Sequence, residues 1–416
     1  MRITYIHQYF TTPDMAGGTR SYDFARSLTE AGHEVNVVTS AIDGRRRGGW
    51  YVTQEAGATV HWMPNRYANT MTYRERMWAF AKFVVGATLR ASQLPADVVF
   101  ATSTPLTVAI PAVFAARVRR VPMVFEVRDL WPAVPISMGA LGNPVLRGLA
   151  RFLERWAYRN AESVVALSPG MRDGVVHTGY AAERVALIPN GSDLRAFAPQ
   201  RSAGHEFRRA RPWLGERPLV LYAGALGRAN GVTWLVDLAR ELRSLMPDLR
   251  VLVIGDGYDK SKLEDAARTA GLLDEVFYME SPIPKQDVPA AFAAADVSAC
   301  LFIDRELLWT GSPNKLFDSL AAGTPVIVNY GGWQAELLEK RGAGIAVPTA
   351  DVASAARRIV RLLGTQEELE EMGRRARGLA EELFDRKQHA DQLRAVLEAA
   401  RQREGSRASS LGGDWT

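Results

Sequence analysis

Four stretches of the sequence place residues suited to binding chemistry where a β-like run gives way to a helical one. Gly17-Gly18-Thr19-Arg20 follows the run Thr4 to Tyr9. Gly224-Ala225-Leu226-Gly227-Arg228 follows Leu219 to Ala223. Gly311-Ser312-Pro313-Asn314-Lys315 opens a helix. Glycines let the backbone approach a ligand, a helix start offers unbonded N–H groups, and an arginine or lysine adds charge, which together suit an anion such as phosphate. Lys315 falls in a first helical turn, where a cation opposes the helix dipole unless an anion lies beside it. Asp318 follows Asn314 by one turn and could accept hydrogen bonds from a ribose diol. The fourth stretch, Arg128-Asp129-Leu130-Trp131-Pro132, packs charges and an indole into the end of an apolar run. Charges there need partners, and Trp131 with Pro132 suits a ligand-facing wall. Plain glycine turns, a capping turn at Pro313 and an Arg128–Asp129 structural pair are the bland readings of the same residues.

These residues need a scaffold. With 416 residues, 47% hydrophobic and 23% charged, the chain exceeds what one core organises, so two domains with a cleft between them are expected. Short β-branched runs alternate with helical segments through most of the length, which predicts doubly wound parallel sheets. The predicted division is residues 1–195, a surface linker at 196–217, a second domain at 218–383, a helix at 384–401 and a flexible tail at 402–416. Open parallel sheets take ligands beyond the carboxyl ends of their strands, where all four stretches fall.

Composition narrows the function classes. The single cysteine, Cys300, sits in an apolar run and reads as a small buried hydrophobe, so no disulfide within the chain is possible. The six histidines show no metal-ligand spacing, and no metal and no cofactor are expected. No Gly-x-Gly-x-x-Gly or Gly-x-x-x-x-Gly-Lys run occurs, which argues against dinucleotide oxidoreductases and P-loop NTPases. The net charge of +5 suits an anionic ligand, an anionic membrane or nucleic acid. The lack of an aromatic and basic repeat disfavours nucleic acid. The start of the chain lacks a secretory pattern, and Pro105 and Pro111 interrupt the least charged stretch, so a cytoplasmic protein without a membrane span is expected. Between Tyr67 and Leu94, however, Met71, Met77, Trp78, Phe80, Phe83 and Val84 are interspersed with Arg74, Arg76, Lys82 and Arg90, and Glu75 is the only acid. Such a helix either packs on the first sheet or rests on anionic lipid at the inner face of the membrane.

Gly17-Gly18-Thr19-Arg20, Arg128 to Pro132, Pro189-Asn190-Gly191-Ser192-Asp193, Gly224 to Gly231, Ile254-Gly255-Asp256-Gly257 and Ser312 to Asp318 occur in a family order. In this the chain resembles family 4 retaining glycosyltransferases of the GT-B fold, α/β proteins with two facing Rossmann-like domains. It looks most like the bacterial polysaccharide branch that includes enzymes assigned as L-fucosamine transferases of O-antigen assembly. The resemblance implies a nucleotide-sugar donor, UDP-linked, on the second domain. Arg228 and Lys315 would meet its diphosphate, Asp318 its ribose, and Gly227, Gly311, Ser312, Pro313 and Asn314 its phosphates and sugar. A saccharide or polyprenyl-diphosphate-linked acceptor would occupy the first domain, Gly18 would approach the donor phosphate or the acceptor, and Gly17, Arg20, Trp131 and Asn190 would bind substrate. Asp129 with Arg128 would stand by the reacting centre, and the last helix would cross back to the first domain. Two positions depart from the family pattern. Thr310 stands where a glutamate is common, with Glu306 out of register, and Ala229-Asn230-Gly231 replaces a frequent lysine after Arg228. Two other readings are a nucleotide-sugar 2-epimerase and a catalytically silent GT-B partner subunit. The charge cluster argues against the silent module.

Overall fold

The structure, a computed structural model, describes residues 1–15, 17–41, 48–65, 71–198 and 201–411. Residues 67–70 of the basic apolar segment and 412–416 of the expected tail lie outside them, as does the side chain of Arg76. The chain forms two compact units, one of residues 1–189 and 387–416 and one of residues 190–386.

The first unit holds strands β1 (Arg2–Ile6), β2 (Glu34–Ala41), β3 (Tyr51–Glu55), β4 (Ala58–Pro64), β5 (Val98–Thr102), β6 (Met123–Val127), β7 (Ser163–Ala166) and β8 (Val185–Leu187). They form one sheet in the order β3-β4-β2-β1-β5-β6-β7-β8. Neighbours run parallel except β3 and β4, an antiparallel hairpin at the edge. Central strands such as Val98–Thr102 are buried along their whole length, which is why they read as unbroken apolar runs. The Arg20–Glu30 helix contributes Phe24 and Leu28 to a core shared with Leu393 and Leu397 of the Arg386–Leu411 helix. The last helix thus joins the first unit and runs past residue 401, beyond the end read from the sequence. The Tyr73–Gln93, Ala109–Arg119 and Pro144–Arg159 helices pack against one another in that order. Thr72 and Glu75 close a reciprocal capping box at the first of these, fixing its start. Phe83 of that helix is fully buried, while Met77 and Trp78 are exposed.

The second unit holds β9 (Leu219–Ala223), β10 (Arg250–Ile254), β11 (Phe277–Glu280), β12 (Val297–Cys300), β13 (Val326–Val328) and β14 (Gly344–Ala346) in the parallel order β11-β10-β9-β12-β13-β14. The strand order reverses between β9 and β12, the position where open α/β sheets leave a ligand crevice. Cys300 is buried in one of the two apolar clusters formed by this unit.

The expected linker is a correction. Residues 201–209 form a helix, and Phe197, Phe207 and Leu214 enter the core of the second unit. Gly204 lets the helix approach closely, since a Cβ there would lie 2.6 Å from the Ala293 carbonyl oxygen. Arg208 pairs with Asp296 at 2.9 Å and Arg211 with Glu280 at 2.7 Å. The arginines that made the segment look like a solvated connection anchor it instead.

Arg20 is a second correction. Expected to face a ligand, it lies buried with Nε donating to Glu126 Oε1 at 3.0 Å, Nη1 to Pro189 O at 2.5 Å and Nη2 to Ile188 O at 2.9 Å. Glu126 Oε2 accepts from Thr102 Oγ1 at 3.1 Å, so the pair is hydrogen-bonded on both sides. Removing one member strands a buried charge, at about 3 kcal/mol or more. Arg20→Met should therefore lower stability in urea unfolding by about that amount, and adding Glu126→Leu should recover part of the loss. An unaltered urea midpoint for the single variant would contradict this role.

Candidate active site

The second unit gathers its candidate residues around the start of the Asn314–Ala322 helix. Lys315 Nζ donates to Tyr222 Oη at 2.7 Å and to Asn230 Oδ1 at 3.3 Å, and lies 4.2 Å from the centre of the Tyr222 ring. Both oxygens are themselves fixed, because Tyr222 Oη and Asn230 Nδ2 donate to the Ala225 carbonyl at 2.7 and 3.0 Å. These partners are neutral and the helix end is positive, so nothing in this set balances the ammonium. Burial pushes the Lys315 ammonium down to about 8. Gly224, at φ +149°, leaves room for the lysine stem, as a Cβ there would lie 3.0 Å from Lys315 Cε.

Glycines also interlock the loops after β9 and β10. A Cβ at Gly255 would lie 2.0 Å from the Gly224 carbonyl oxygen, and one at Gly257 2.6 Å from that of Leu226. The second loop carries Tyr258, over whose ring Arg228 stacks at 4.1 Å while donating to its hydroxyl. Arg228 is exposed and begins the short turn that ends in Asn230, the residue holding Lys315. The structure therefore joins Gly227, Arg228 and Lys315 through Asn230, Tyr222 and Tyr258. These three are not among the residues expected to bind. Each lies within two residues of a glycine singled out in the sequence, and that proximity was the available signal.

The turn before the helix is held from behind. Gly311 O accepts from Trp333 Nε1 at 3.2 Å and Gln334 Nε2 at 2.7 Å. Ser312 is tied to Asn190, whose backbone N–H donates to Ser312 Oγ at 3.1 Å and whose Nδ2 donates to Ser312 O at 2.5 Å. Asn190, expected to contact substrate, commits its Nδ2 to the turn before Pro313 and Asn314, while its buried Oδ1 has no hydrogen-bond partner among the described residues. Asp318 Oδ1 accepts from Ser192 Oγ at 2.7 Å. Thr310 donates to the Leu307 carbonyl, and Glu306 is exposed on a short helix.

In the first unit, Gly17 has φ +130° and Gly18 O accepts from Thr11 Oγ1 at 2.9 Å. Asp129 is exposed, and its Oδ2 accepts from Thr104 Oγ1 at 3.1 Å. The Arg128 backbone N–H donates to Ser103 Oγ at 3.1 Å, holding the end of β6 to that of β5. Trp131 is half-buried beside them. His7 and Gln8, which follow β1, are buried, and His7 Nδ1 with both polar atoms of the Gln8 carboxamide has no hydrogen-bond partner among the described residues. Burial first, and then Arg128, hold His7 well below the usual histidine range, so it is neutral. Among the described residues no three His, Cys, Asp or Glu side chains gather as a metal site.

Residues 16–191 match the family model of the Glycosyl transferase 4-like domain, and residues 205–379 match that of Glycosyl transferases group 1. The chain is a glycosyltransferase of the GT-B fold, built from these two domain families in that order. It is 23% identical over 334 residues to the Escherichia coli K12 protein provisionally named colanic acid biosynthesis glycosyl transferase WcaI, covering 76% of this chain and 80% of that one. It is 27% identical over 252 residues to the 2-deoxystreptamine glucosyltransferase of Streptomyces kanamyceticus, covering 60% and 63%. Among solved structures, Anabaena HepE in complex with UDP and glucose superposes with a TM-score of 0.74 at 18% identity, over 96% of this chain and 100% of that one. The sucrose-phosphate synthase of Thermosynechococcus elongatus gives 0.73 at 17%, over 96% and 98%. At such identities the structural likeness carries the fold.

The Lys315 environment makes a pH prediction. The side chain is a cation below about pH 8 and neutral above it. If its charge serves transfer, kcat/KM should be level near neutrality and fall as pH rises through about 8. Arginine stays protonated throughout, so Lys315→Arg should keep a reduced rate and lose that alkaline limb. A wild-type profile that stays level up to about pH 9.5 would remove Lys315 from the chemistry.

Proposed function

We propose that the enzyme transfers a sugar, with retention of configuration, from a nucleoside diphosphate sugar to a saccharide or polyprenyl-diphosphate-linked saccharide in cell-surface polysaccharide biosynthesis. The observation carrying this reading is the uncompensated Lys315 ammonium at a helix start, with Arg228 tethered through the same loop. A diphosphate supplies the missing negative charge. As the sugar departs, charge grows on the β-phosphate, where fixed cations and free N–H groups act without reorganising. The sugar becomes oxocarbenium-like, as in glycoside hydrolysis.

UDP is the favoured nucleotide, in keeping with the UDP in the HepE complex. Asp318 is assigned to the ribose, with Ser192 orienting its carboxylate. The acceptor is assigned to the first unit, near Gly17, Gly18, Arg128, Asp129 and Trp131. Asp129 lies at the carboxyl edge of the sheet and is assigned to the reacting centre. The WcaI name supports a polysaccharide role. Neither the epimerase nor the silent subunit is favoured by the transferase names of the matching families.

Donor hydrolysis across a panel of UDP-, GDP- and TDP-sugars, followed by transfer assays, tests this. Arg228→Ala and Lys315→Ala should each lower turnover by about 100-fold, the scale for removing one electrostatic partner of a transition state. Circular dichroism should be unchanged. Near-wild-type turnover in both variants would refute the donor assignment.

A further inference from the structure

The residues of the first unit assigned to substrate stand at the carboxyl end of its sheet, but the opposite end is also cationic. At the amino ends of β6, β7 and β8 a pocket of about 370 Å³ is lined by Arg117, Arg120, Arg159 and Arg184, with Glu162 as the only acid in its wall. Val113, Pro122 and Met123 add apolar lining.

Two of these arginines are fixed by neighbours. Arg117 Nη2 donates to Asn160 Oδ1 at 2.7 Å. Arg184 donates from Nε to Glu162 O at 2.8 Å and from Nη2 to Ala161 O at 3.0 Å, and it pairs with Glu162 Oε2 at 3.2 Å. The other two, Arg120 and Arg159, are exposed, and their guanidinium groups have no hydrogen-bond or ion-pair partner among the described residues. Arginines at other strand starts differ. Arg2, at the start of β1, pairs with Asp97 at 2.7 Å, and Arg250, at the start of β10, donates to the Pro247 and Leu249 carbonyls.

Helix ends account for part of this charge. Arg117 and Arg159 fall in the last turns of Ala109–Arg119 and Pro144–Arg159, where a cation complements the helix dipole. Each helix end contributes roughly half a negative charge and Glu162 contributes one, which leaves about two of the four positive charges unmatched. Arg120 needs a different explanation. It caps its helix in the left-handed conformation, at φ +54°, a place that glycine or asparagine fills with less strain. An arginine there supplies a side chain that the backbone does not require.

We propose that this pocket binds a small phosphate anion carrying about two negative charges, a phosphate ester or pyrophosphate, at the end of β6 opposite to Arg128 and Asp129. Guanidinium groups hold phosphate oxygens through paired N–H donors, and four of them converging from three segments match the several oxygens of one such group. The volume admits a compact ligand, whose carbon skeleton Val113, Pro122 and Met123 would meet.

The test is a calorimetric titration of the whole protein with inorganic pyrophosphate. Pyrophosphate would also enter the proposed donor site, so the titration is run on wild type and on a protein carrying Arg228→Ala with Lys315→Ala, which separates the two proposals. The doubly substituted protein should still bind one pyrophosphate. Adding Arg120→Gly or Arg159→Gln to it should weaken that binding by about tenfold or more, the scale for losing one charge-assisted hydrogen bond. Glycine suits the left-handed backbone and glutamine the helix, so each substitution made alone in the wild type should leave thermal stability without ligand and donor hydrolysis unchanged. Absence of pyrophosphate binding in the protein carrying Arg228→Ala with Lys315→Ala overturns the proposal. So does binding that Arg120→Gly and Arg159→Gln both leave unaltered, which would make the arginines a solvated end of two helices.

Discussion

The hydrogen bond from Lys315 Nζ to Tyr222 Oη organises the second unit's candidate site. A partly desolvated ammonium at the positive end of a helix is unfavourable alone, and its surroundings are arranged to hold it there. Gly224 gives up a side chain so that the stem can pass. Ala225 turns its carbonyl to fix both acceptors, and the glycines after β10 let the next loop close against the first. The first unit offers the contrast within the same chain. Arg20 is more deeply buried, yet a carboxylate and two carbonyls accept from all three of its side-chain nitrogens. A cation neutralised inside the fold is structural. One given only neutral partners leaves its charge unmet, and this difference is the basis for proposing Lys315 as a donor contact.

Much of the fold was legible because central parallel strands, covered on both faces, read as continuous apolar runs such as Val98 to Ala101. Edge elements were less so. The β3–β4 hairpin was missed because one of its strands alternates exposed and half-buried residues without a strong apolar signal. The helix at Arg201–Arg209 was missed because it packs through the small Gly204 and the single large apolar Phe207, which leave no periodic apolar signal, while Arg208 and the following Arg211 find acids far along the chain.

The site was legible in its glycines and less so in its polar partners. Glycines at Gly224 and Gly255 meet local steric demands, and those show in the sequence. Arg20 was misassigned because its carboxylate lies on β6, more than a hundred positions away, while the adjacent Gly-Gly-Thr looks like a phosphate loop. The tie from Asn190 to Ser312 was hidden for the same reason, since the two meet only once the chain is folded. Tyr222, Asn230 and Tyr258 acquire meaning only from a lysine or arginine brought beside them by the sheet.

The two units also differ in the ligand chemistry their strand ends suit. After β9 the groups are cationic. After β1 they are polar and neutral, with His7 kept uncharged by burial and Arg128, and the Gln8 carboxamide unpaired within the described residues. A buried neutral imidazole has little to offer a phosphate as a charge, but it can exchange hydrogen bonds with a hydroxyl, as can an amide able both to donate and to accept. Leaving such groups unmet costs stability, so their presence after β1 favours a ligand or ordered water that brings hydroxyls. Sugars are dense in hydroxyls and nucleoside diphosphates in charge. That division fits the proposed acceptor on the first unit and the proposed donor on the second, and it rests on the protonation and pairing of individual side chains.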